Sequence, residues 1–237
     1  MRKVIRNGVP AEIRAVIFDM DGLMFDTEAL NLRGWTVAGP KHGYEITEED
    51  IRPQIGVDVP TAKALMKERF GQDFDYDTVR SDRIAWSWAW IEQHGTPEKP
   101  GLRELLAWLK QEGIRTAIST SSGRETVAFY FDHAPGLKEY FNAVVTWEPG
   151  MKGKPAPDLF LAAAKALGVE PKACVVLEDS YNGIRAAHAA GMKPIMVPDL
   201  LPPTPEILSL TVGKAEGLPA VIPILEKLRA QACAAND

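Results

Sequence analysis

Five short apolar runs constrain the fold of this chain more than any other feature of its sequence. They occupy residues 14–18, 114–119, 143–146, 174–177 and 194–197. Helical patterns at 101–112, 158–167 and 180–190 precede the second, fourth and fifth runs, and each pattern stops at a glycine. Continuous apolar runs of this length are typical of strands buried on both faces of a parallel sheet. Their alternation with helices predicts a doubly wound α/β sheet, in which ligands bind beyond the carboxyl ends of the strands.

The stretch between the first and second runs is far too long for one crossover helix. Helical patterns within it cover 28–42, 61–70 and 77–94. We therefore expect an inserted all-α domain at residues 27–95, within a Rossmann-like, mostly parallel core formed by residues 1–26 and 96–237. Trp86 and Trp90 share one helical face of the insert. We favour helix–helix packing for them over a stacking platform for a substrate ring.

Composition excludes some classes of protein. The net charge of −5 and pI near 5.5 disfavour general binding to nucleic-acid backbones, which needs a basic surface. No apolar run approaches the length of about 18 residues that marks a membrane span, and Met1–Pro10 lacks the apolar core of a signal peptide. With only Cys174 and Cys233, a disulfide framework is not expected. We expect a cytoplasmic monomer that binds neither nucleic acid nor membrane.

Two carboxylates follow the first apolar run directly. Asp19 and Asp21 are two positions apart, so an extended backbone points both side chains the same way, and Gly22 permits a sharp turn. Two unpaired carboxylates that close are costly unless they share a proton or a cation. We expect either a metal site or a division of labour between a nucleophile and an acid/base. An EF-hand is excluded, because the twelfth position of such a loop is Leu30.

Further polar groups follow the next strands. Thr120 closes the second apolar run, and Ser122 and Glu125 have the spacing of a capping box that opens a helix. A hydroxyl beside free helix N-terminal amides can hold phosphate. Lys154 lies in a proline-flanked loop that restricts its backbone, so we interpret it as a positioned cation, and Lys152 as a surface group.

Glu178 and Asp179 follow the fourth run, and Ser180 after them suits a helix N-cap. With Asp19 and Asp21 they make four carboxylates at one edge of the sheet, and Lys154 alone is evident as a balancing charge. An all-oxygen site with room for water and phosphate suits Mg²⁺.

Taken in order, these residues resemble the four motifs of the haloacid dehalogenase-like phosphohydrolase superfamily, over about residues 14–200. The helical insert is similar to the family's C1-type cap. The nearest resemblance is to sugar-phosphate and nucleoside-phosphate phosphatases and to the β-phosphoglucomutase branch. The motifs read Asp19-Met20-Asp21-Gly22-Leu23-Met24-Phe25-Asp26-Thr27-Glu28, Ser119-Thr120-Ser121-Ser122, Gly153-Lys154-Pro155-Ala156-Pro157-Asp158 and Val176-Leu177-Glu178-Asp179-Ser180-Tyr181-Asn182-Gly183.

The resemblance implies a role for each motif. Asp19 would attack phosphorus to form an aspartyl-phosphate, and Asp21 would act as general acid and then base. Thr120 and Lys154 would neutralise the phosphoryl oxygens.

The resemblance also implies a metal and a set of substrate contacts. Mg²⁺ would be held by the Asp19 side chain, the Asp21 backbone carbonyl and Asp179, with help from Glu178. Candidate substrate-binding residues are Gly22, Thr27, Asn31, Ser121, Ser122 and Arg124, and the cap residues that select the substrate stay open.

Alternative chemistries are ranked by the motifs. Dehalogenases of the superfamily lack the second aspartate, so Asp21 argues against them, and a non-catalytic phosphoryl-binding module needs a broken motif. A phosphomutase is the main alternative to a phosphatase. In β-phosphoglucomutase-like chains a histidine stands where this chain has Asn31, and a cap-loop arginine stands where Gly56-Val57-Asp58-Val59 occurs. We therefore favour a phosphatase.

Overall fold

A computed structural model describes residues 12–55, 57 and 59–234 of the chain. The expectations that concern Met1–Pro10, Gly56, Asp58 and the Cys233 side chain fall outside that part. Within it, no helix is long and apolar enough to cross a membrane.

Six parallel strands form the sheet that the described residues contain, in the order β3-β2-β1-β4-β5-β6. The five predicted strands are confirmed to within one residue at each end, and β6 was not predicted because two residues carry no pattern. The strands are β1 Ala15–Phe18, β2 Arg115–Thr120, β3 Ala143–Thr146, β4 Cys174–Glu178, β5 Lys193–Met196 and β6 Gly213–Lys214.

The α-helices lie between the strands and in the segment that follows β1. In chain order they are α1 Thr27–Ala38, α2 Glu48–Ile51, α3 Val59–Phe70, α4 Tyr76–His94, α5 Leu102–Gln111, α6 Arg124–Asp132, α7 Asp158–Leu167, α8 Tyr181–Ala189, α9 Pro205–Ser209 and α10 Val221–Ala234. Short 3-10 helices cover Gly39–His42, Arg52–Gln54, Lys138–Tyr140, Pro171–Ala173 and Leu218–Ala220.

Both faces of the sheet are buried, as the continuous apolar runs predicted. Along β1, Val16 and Phe18 join the cluster that includes residues of α5, α6 and α10. Ala15 and Ile17 join the opposite cluster with residues of α7 and α8. Side chains alternate between the two faces of a strand, so a strand that is apolar at every position is stable only between two helical layers.

The segment between β1 and β2 has a hydrophobic cluster of its own. Its buried members, which include Trp35, Met66 and Phe74, all lie between residues 32 and 79. Helix α1 packs along α4. The short helix α2 was not predicted, although Thr47 and Asp50 form a reciprocal capping box at its start. The all-α insertion in an α/β core is therefore confirmed.

The chain enters and leaves this insertion side by side. Phe25 forms an antiparallel bridge with Glu98, and the amide of Asp26 donates to the carbonyl of Pro97 at 2.7 Å. These contacts hold together the two connections between the core and the insertion, near the carboxyl end of β1.

The tryptophans of α4 pack against the core rather than inside the insert's own cluster. Trp88 stacks on Phe129 of α6 with ring centroids 4.3 Å apart and planes 11° from parallel. Trp86 and Trp90 pack against the larger core cluster. The packing role expected of the pair is observed, but it joins the insert to the core.

Candidate active site

The carboxyl ends of β1, β2 and β4 meet at one edge of the sheet because the three strands are parallel neighbours. Asp19 follows β1, Thr120 ends β2 and Glu178 ends β4. A cavity of about 160 Å³ opens there, and its lining includes Asp19, Asp21, Thr120, Ser121, Lys154 and Asp179. The topology therefore brings side chains from all four motifs to one cavity.

Lys154 is a buried cation between two carboxylates. Its Nζ donates to Asp19 Oδ1 and, at 2.5 Å, to Glu178 Oε1. Burial acts to lower the pKa of Lys154, but the two carboxylates outweigh it and the pKa is raised. Lys154 is therefore charged throughout the physiological range, as the proline-flanked loop predicted for a positioned cation.

Glu178 organises its surroundings from a fully buried position. Its second oxygen accepts hydrogen bonds from the backbone N–H and the hydroxyl of Ser180, at 3.0 and 2.9 Å. Ser180 also caps α8 by accepting from the Gly183 amide. A Cβ at Gly183 would lie 1.8 Å from Glu178 Oε1, so only glycine fits there. Glu178 thus holds Lys154 at one oxygen and the start of α8 at the other.

The acidic cluster carries more negative charge than Lys154 balances. Burial raises the pKa of Asp19 to about 8, with Lys154 opposing this shift and Glu178 and Asp21 adding to it. Burial also raises the pKa of Asp179, and the charges of Glu178 and Asp19 add to that shift. Such shifts show that the single charge of Lys154 does not balance the buried carboxylates around it.

The same oxygens are placed where one cation could contact several of them. One carboxylate oxygen each from Asp19, Glu178 and Asp179 lies within 4.8 Å of the other two. Gly22 has φ +81°, and a Cβ there would lie 2.4 Å from Asp179 Oδ2. The glycine therefore leaves the space beside Asp179 open, and the oxygen-only donor set fits a hard divalent cation.

Asp21 is oriented by two hydroxyl groups. Thr27 Oγ1 donates to its Oδ1 at 2.9 Å, and Ser122 Oγ donates to its Oδ2 at 2.7 Å. Burial raises the pKa of Asp21, and these two hydrogen bonds oppose the shift. A carboxyl group with a raised pKa and a fixed orientation is suited to proton transfer.

The predicted capping box of Ser122 and Glu125 is wrong. Helix α6 begins at Arg124 with Gly123 as N-cap, and no side chain caps it. Ser122 lies one residue before the N-cap, and its hydroxyl is directed at Asp21. Its amide instead donates to Thr120 Oγ1 at 3.0 Å, which ties the end of β2 to the turn that follows.

Comparison with known proteins identifies the family of this chain. The model of the haloacid dehalogenase-like hydrolase family matches residues 13–191. The chain belongs to this family.

Relatives with established names support the family assignment. Hexitol phosphatase B of Escherichia coli is 32% identical over 193 residues, which are 80% of this chain and 85% of that protein. The chloroplastic protein SUPPRESSOR OF QUENCHING 1 of Arabidopsis thaliana is 35% identical over 193 residues, and the match spans 78% of this chain but 18% of that protein. Several relatives are named phosphatases, among them hexitol phosphatase B and a phosphorylated carbohydrates phosphatase of Thermotoga maritima. This chain is an enzyme of the same hydrolase family.

Solved structures show the same fold. A β-phosphoglucomutase from Clostridium difficile superposes with a TM-score of 0.71 at 21% identity, covering 94% of this chain and 99% of that one. The likeness shows that the two chains share a fold.

Three of the predicted substrate-binding residues, Thr27, Asn31 and Arg124, do not line the cavity at the edge of the sheet. Thr27 is buried behind Asp21. Asn31 lies in the insert, where Arg83 donates to its side-chain oxygen. Arg124 is largely exposed, pairs with Glu148 and lines a different cavity beside β3. Ser121 and Asp21, in contrast, line that cavity directly. We call it the catalytic cavity below, because the proposed nucleophile and acid both line it.

Several charged residues of the site were missed by the sequence analysis. Asp199 and Glu28 line the catalytic cavity. Lys99 donates to Asp26 Oδ1 at 2.7 Å and to Asp199 Oδ1 at 2.6 Å, which joins both chain crossings to the core. Asp199 Oδ2 is buried without a partner among the described residues. A signal for Asp199 was present, since it lies two residues after the end of the fifth apolar run.

Proposed function

We propose that this enzyme is a Mg²⁺-dependent phosphomonoester hydrolase that acts through an aspartyl-phosphate on a small phosphorylated metabolite. A sugar phosphate or a nucleoside monophosphate is the proposed substrate class. The observation that carries the proposal is the placement of Asp19 beside Asp21 and Lys154 in one small cavity. The volume of that cavity suits a phosphoryl group, and its walls supply a nucleophile, an acid and a cation.

In the first half-reaction, a carboxylate oxygen of Asp19 forms a bond to phosphorus while the bond from phosphorus to the substrate oxygen breaks. Protonated Asp21 gives its proton to that leaving oxygen. Its raised pKa favours the protonated form that this step needs. Thr27 and Ser122 hold the carboxyl group in place throughout.

In the second half-reaction, a water molecule attacks phosphorus and the bond from phosphorus to Asp19 breaks. Asp21, now a carboxylate, accepts the proton of the attacking water and returns to its acid form. Lys154 supplies positive charge to the phosphoryl oxygens, and Thr120 with the neighbouring backbone amides supplies hydrogen-bond donors. Both stabilise the transition state.

The metal in this proposal is held by the Asp19 and Asp179 carboxylates and the Asp21 backbone carbonyl. When bound, Mg²⁺ supplies positive charge to the phosphoryl oxygens and aligns them for displacement. Glu178 acts chiefly through Lys154, because both of its oxygens already accept hydrogen bonds.

We further propose that residues 27–95 act as a cap over the catalytic core, formed by 1–26 and 96–237. The crossings of the chain at Asp26 and Lys99 would then be the hinge. Closure of the cap would exclude bulk water from the site. A cytoplasmic monomer with no nucleic-acid or membrane partner completes the proposal.

Two measurements test the hydrolysis proposal. Turnover of p-nitrophenyl phosphate should require Mg²⁺, stop with a chelator and be lost in Asp19→Asn, which removes the nucleophilic charge but keeps the shape. Asp73→Asn, an exposed position in the insert, is the matched control and should behave as wild type. More than a trace of turnover in purified Asp19→Asn would exclude Asp19 as the nucleophile.

The product distinguishes a phosphatase from a phosphomutase. Asn31, in place of the mutase histidine, is already engaged by Arg83. With β-glucose 1-phosphate and a trace of the bisphosphate, we expect free phosphate rather than glucose 6-phosphate. Efficient isomerisation with little phosphate release would contradict the phosphatase proposal.

A further inference from the structure

A second cavity, of about 350 Å³, lies in the helical insert next to the catalytic one. The two cavities share Glu28 and Ile55 as wall residues. A volume of this size suits the organic part of a small metabolite. A molecule whose phosphate occupies the catalytic cavity would therefore extend into the cavity of the insert.

Arg83 lines this second cavity and has no role in the hydrolysis that we propose. Its Nη1 donates to Asn31, and its Nε is buried with no hydrogen-bond partner among the described residues. No carboxylate oxygen of the described part of the chain forms an ion pair with it, whereas Lys99, Arg103 and Lys154 all have such partners. A buried guanidinium N–H without a hydrogen-bond acceptor is costly unless a ligand supplies the acceptor.

The chain makes room for this guanidinium. A Cβ at Gly34 of α1 would lie 2.9 Å from Arg83 Cγ, so a side chain there would displace the arginine. The indole of Trp35 lies 5.7 Å from the guanidinium carbon. A glycine on one side and an aromatic ring on the other hold Arg83 in a slot at the cavity wall.

Arginines outnumber acids among the described residues that line this cavity. Arg80 also lines it. Glu28 is the acid in the described part of the wall, and burial, with the charge of Asp21, raises its pKa to about 7. The charge of Arg83 opposes this shift, so Glu28 and Arg83 attract each other. One acid still does not cancel two arginines. In a chain with a net charge of −5, this local excess of positive charge is a specific feature.

We propose that Arg83, supported by Asn31 and Arg80, binds a second acidic group of the substrate, either a carboxylate or a second phosphate. The planar fork of a guanidinium matches both groups through paired hydrogen bonds. The inference rests on the proposed hydrolysis in the catalytic cavity. It narrows the substrate class to small phosphate monoesters that carry another acid.

Two matched pairs of substrates test the inference. The first is 3-phosphoglycerate against glycerol 3-phosphate, which differ by a carboxylate, and the second is fructose 1,6-bisphosphate against fructose 6-phosphate. Release of phosphate gives kcat/KM for each. We expect the acidic member of at least one pair to be preferred by about 10-fold or more, as suits a charged hydrogen bond. The pair that shows the preference identifies the acidic group.

Arg83→Met should abolish that preference, chiefly through a higher KM for the acidic substrate. Arg33→Met is the matched control, because Arg33 is an exposed arginine on α1 that lines neither cavity, and it should keep the preference. If thermal unfolding shows that Arg83→Met is not folded, Arg83→Lys replaces it; lysine keeps the charge but loses the fork, and the preference should fall.

The outcomes separate this inference from the proposed function. Absence of Mg²⁺-dependent turnover of p-nitrophenyl phosphate by wild type would overturn the proposed hydrolysis. Turnover of that substrate with equal kcat/KM within both pairs would overturn the acid site alone. The acid site is equally refuted if a folded Arg83 variant keeps the full wild-type preference.

Discussion

Replacement of Lys154 by methionine tests whether the acidic edge of the sheet depends on one buried cation. Lys154 Nζ contacts both Asp19 and the fully buried Glu178. Methionine keeps most of the length and apolar stem of the side chain but removes the charge and its hydrogen bonds. Both carboxylates then lose their shared partner.

The expected cost follows from the burial of the pair. Removal of one partner from a buried ion pair destabilises a protein by about 3–5 kcal/mol, because the remaining charge is left uncompensated. For a chain of this size, 1 kcal/mol shifts Tm by about 2–4 °C. We expect the variant's Tm to fall by about 6–20 °C in metal-free buffer near pH 8.

The loss should depend on pH in a defined direction. Burial raises the pKa of Asp19 to about 8 in the folded state, and Lys154 lowers it. A carboxyl with a raised folded-state pKa binds more protons when folded, so its contribution to stability is present at low pH and is lost as pH rises towards that pKa. Without Lys154 the pKa of Asp19 rises further, so wild type stops losing stability near pH 8 whereas the variant continues to lose it. The variant's deficit should therefore be smaller at pH 5 than at pH 9.5.

Thermal unfolding by circular dichroism in the presence of a chelator measures this effect at pH 5, pH 8 and pH 9.5. Lys152→Met is the matched control, because Lys152 is exposed two residues away and should leave Tm within about 1 °C, in line with ordinary surface substitutions. A Lys154→Met variant as stable as wild type at pH 8, or one with the same deficit at pH 5 and pH 9.5, would refute the reasoning.

Two further predictions concern the walls of the site. Gly183→Ala forces a methyl group against the buried Glu178 carboxylate, so we expect it to destabilise the enzyme by about 1–3 kcal/mol in chemical denaturation. Gly153→Ala, where a Cβ meets nothing within 4 Å, is its control, and equal effects would contradict the packing argument. Glu28→Gln removes a carboxyl group whose pKa burial raises to about 7. Wild type loses stability as Glu28 ionises, so the Tm of the variant relative to wild type should rise from pH 5 to pH 8. A relative Tm that falls over this range would show that the fold stabilises Glu28 as a carboxylate.

The parallel sheet, and the edge of it at which Asp19, Thr120 and Glu178 lie, could be predicted from the sequence for a physical reason. Continuous apolar runs such as Ala15–Phe18 and residues 174–177 are stable only between two layers. The helices between the strands make the sheet parallel. Parallel strands end at the same edge, so Asp19, Thr120 and Glu178 had to lie near one another. Short elements such as α2 and β6 were missed, because they are stabilised by caps and neighbours rather than by a periodic pattern.

The sequence by itself thus determined the layered fold and the edge of the sheet at which Asp19, Asp21 and Lys154 meet, and its resemblance to a family supplied the roles that we propose for them. Only the tertiary structure decided which groups these side chains meet. Ser122 binds Asp21 instead of capping α6, Arg124 lies outside the catalytic cavity, and Arg83 faces a second one. Periodicity specifies the face on which a residue lies, whereas the partner of a polar side chain depends on packing between segments far apart in the chain. Asp21 and Ser122, for instance, are separated by 101 positions.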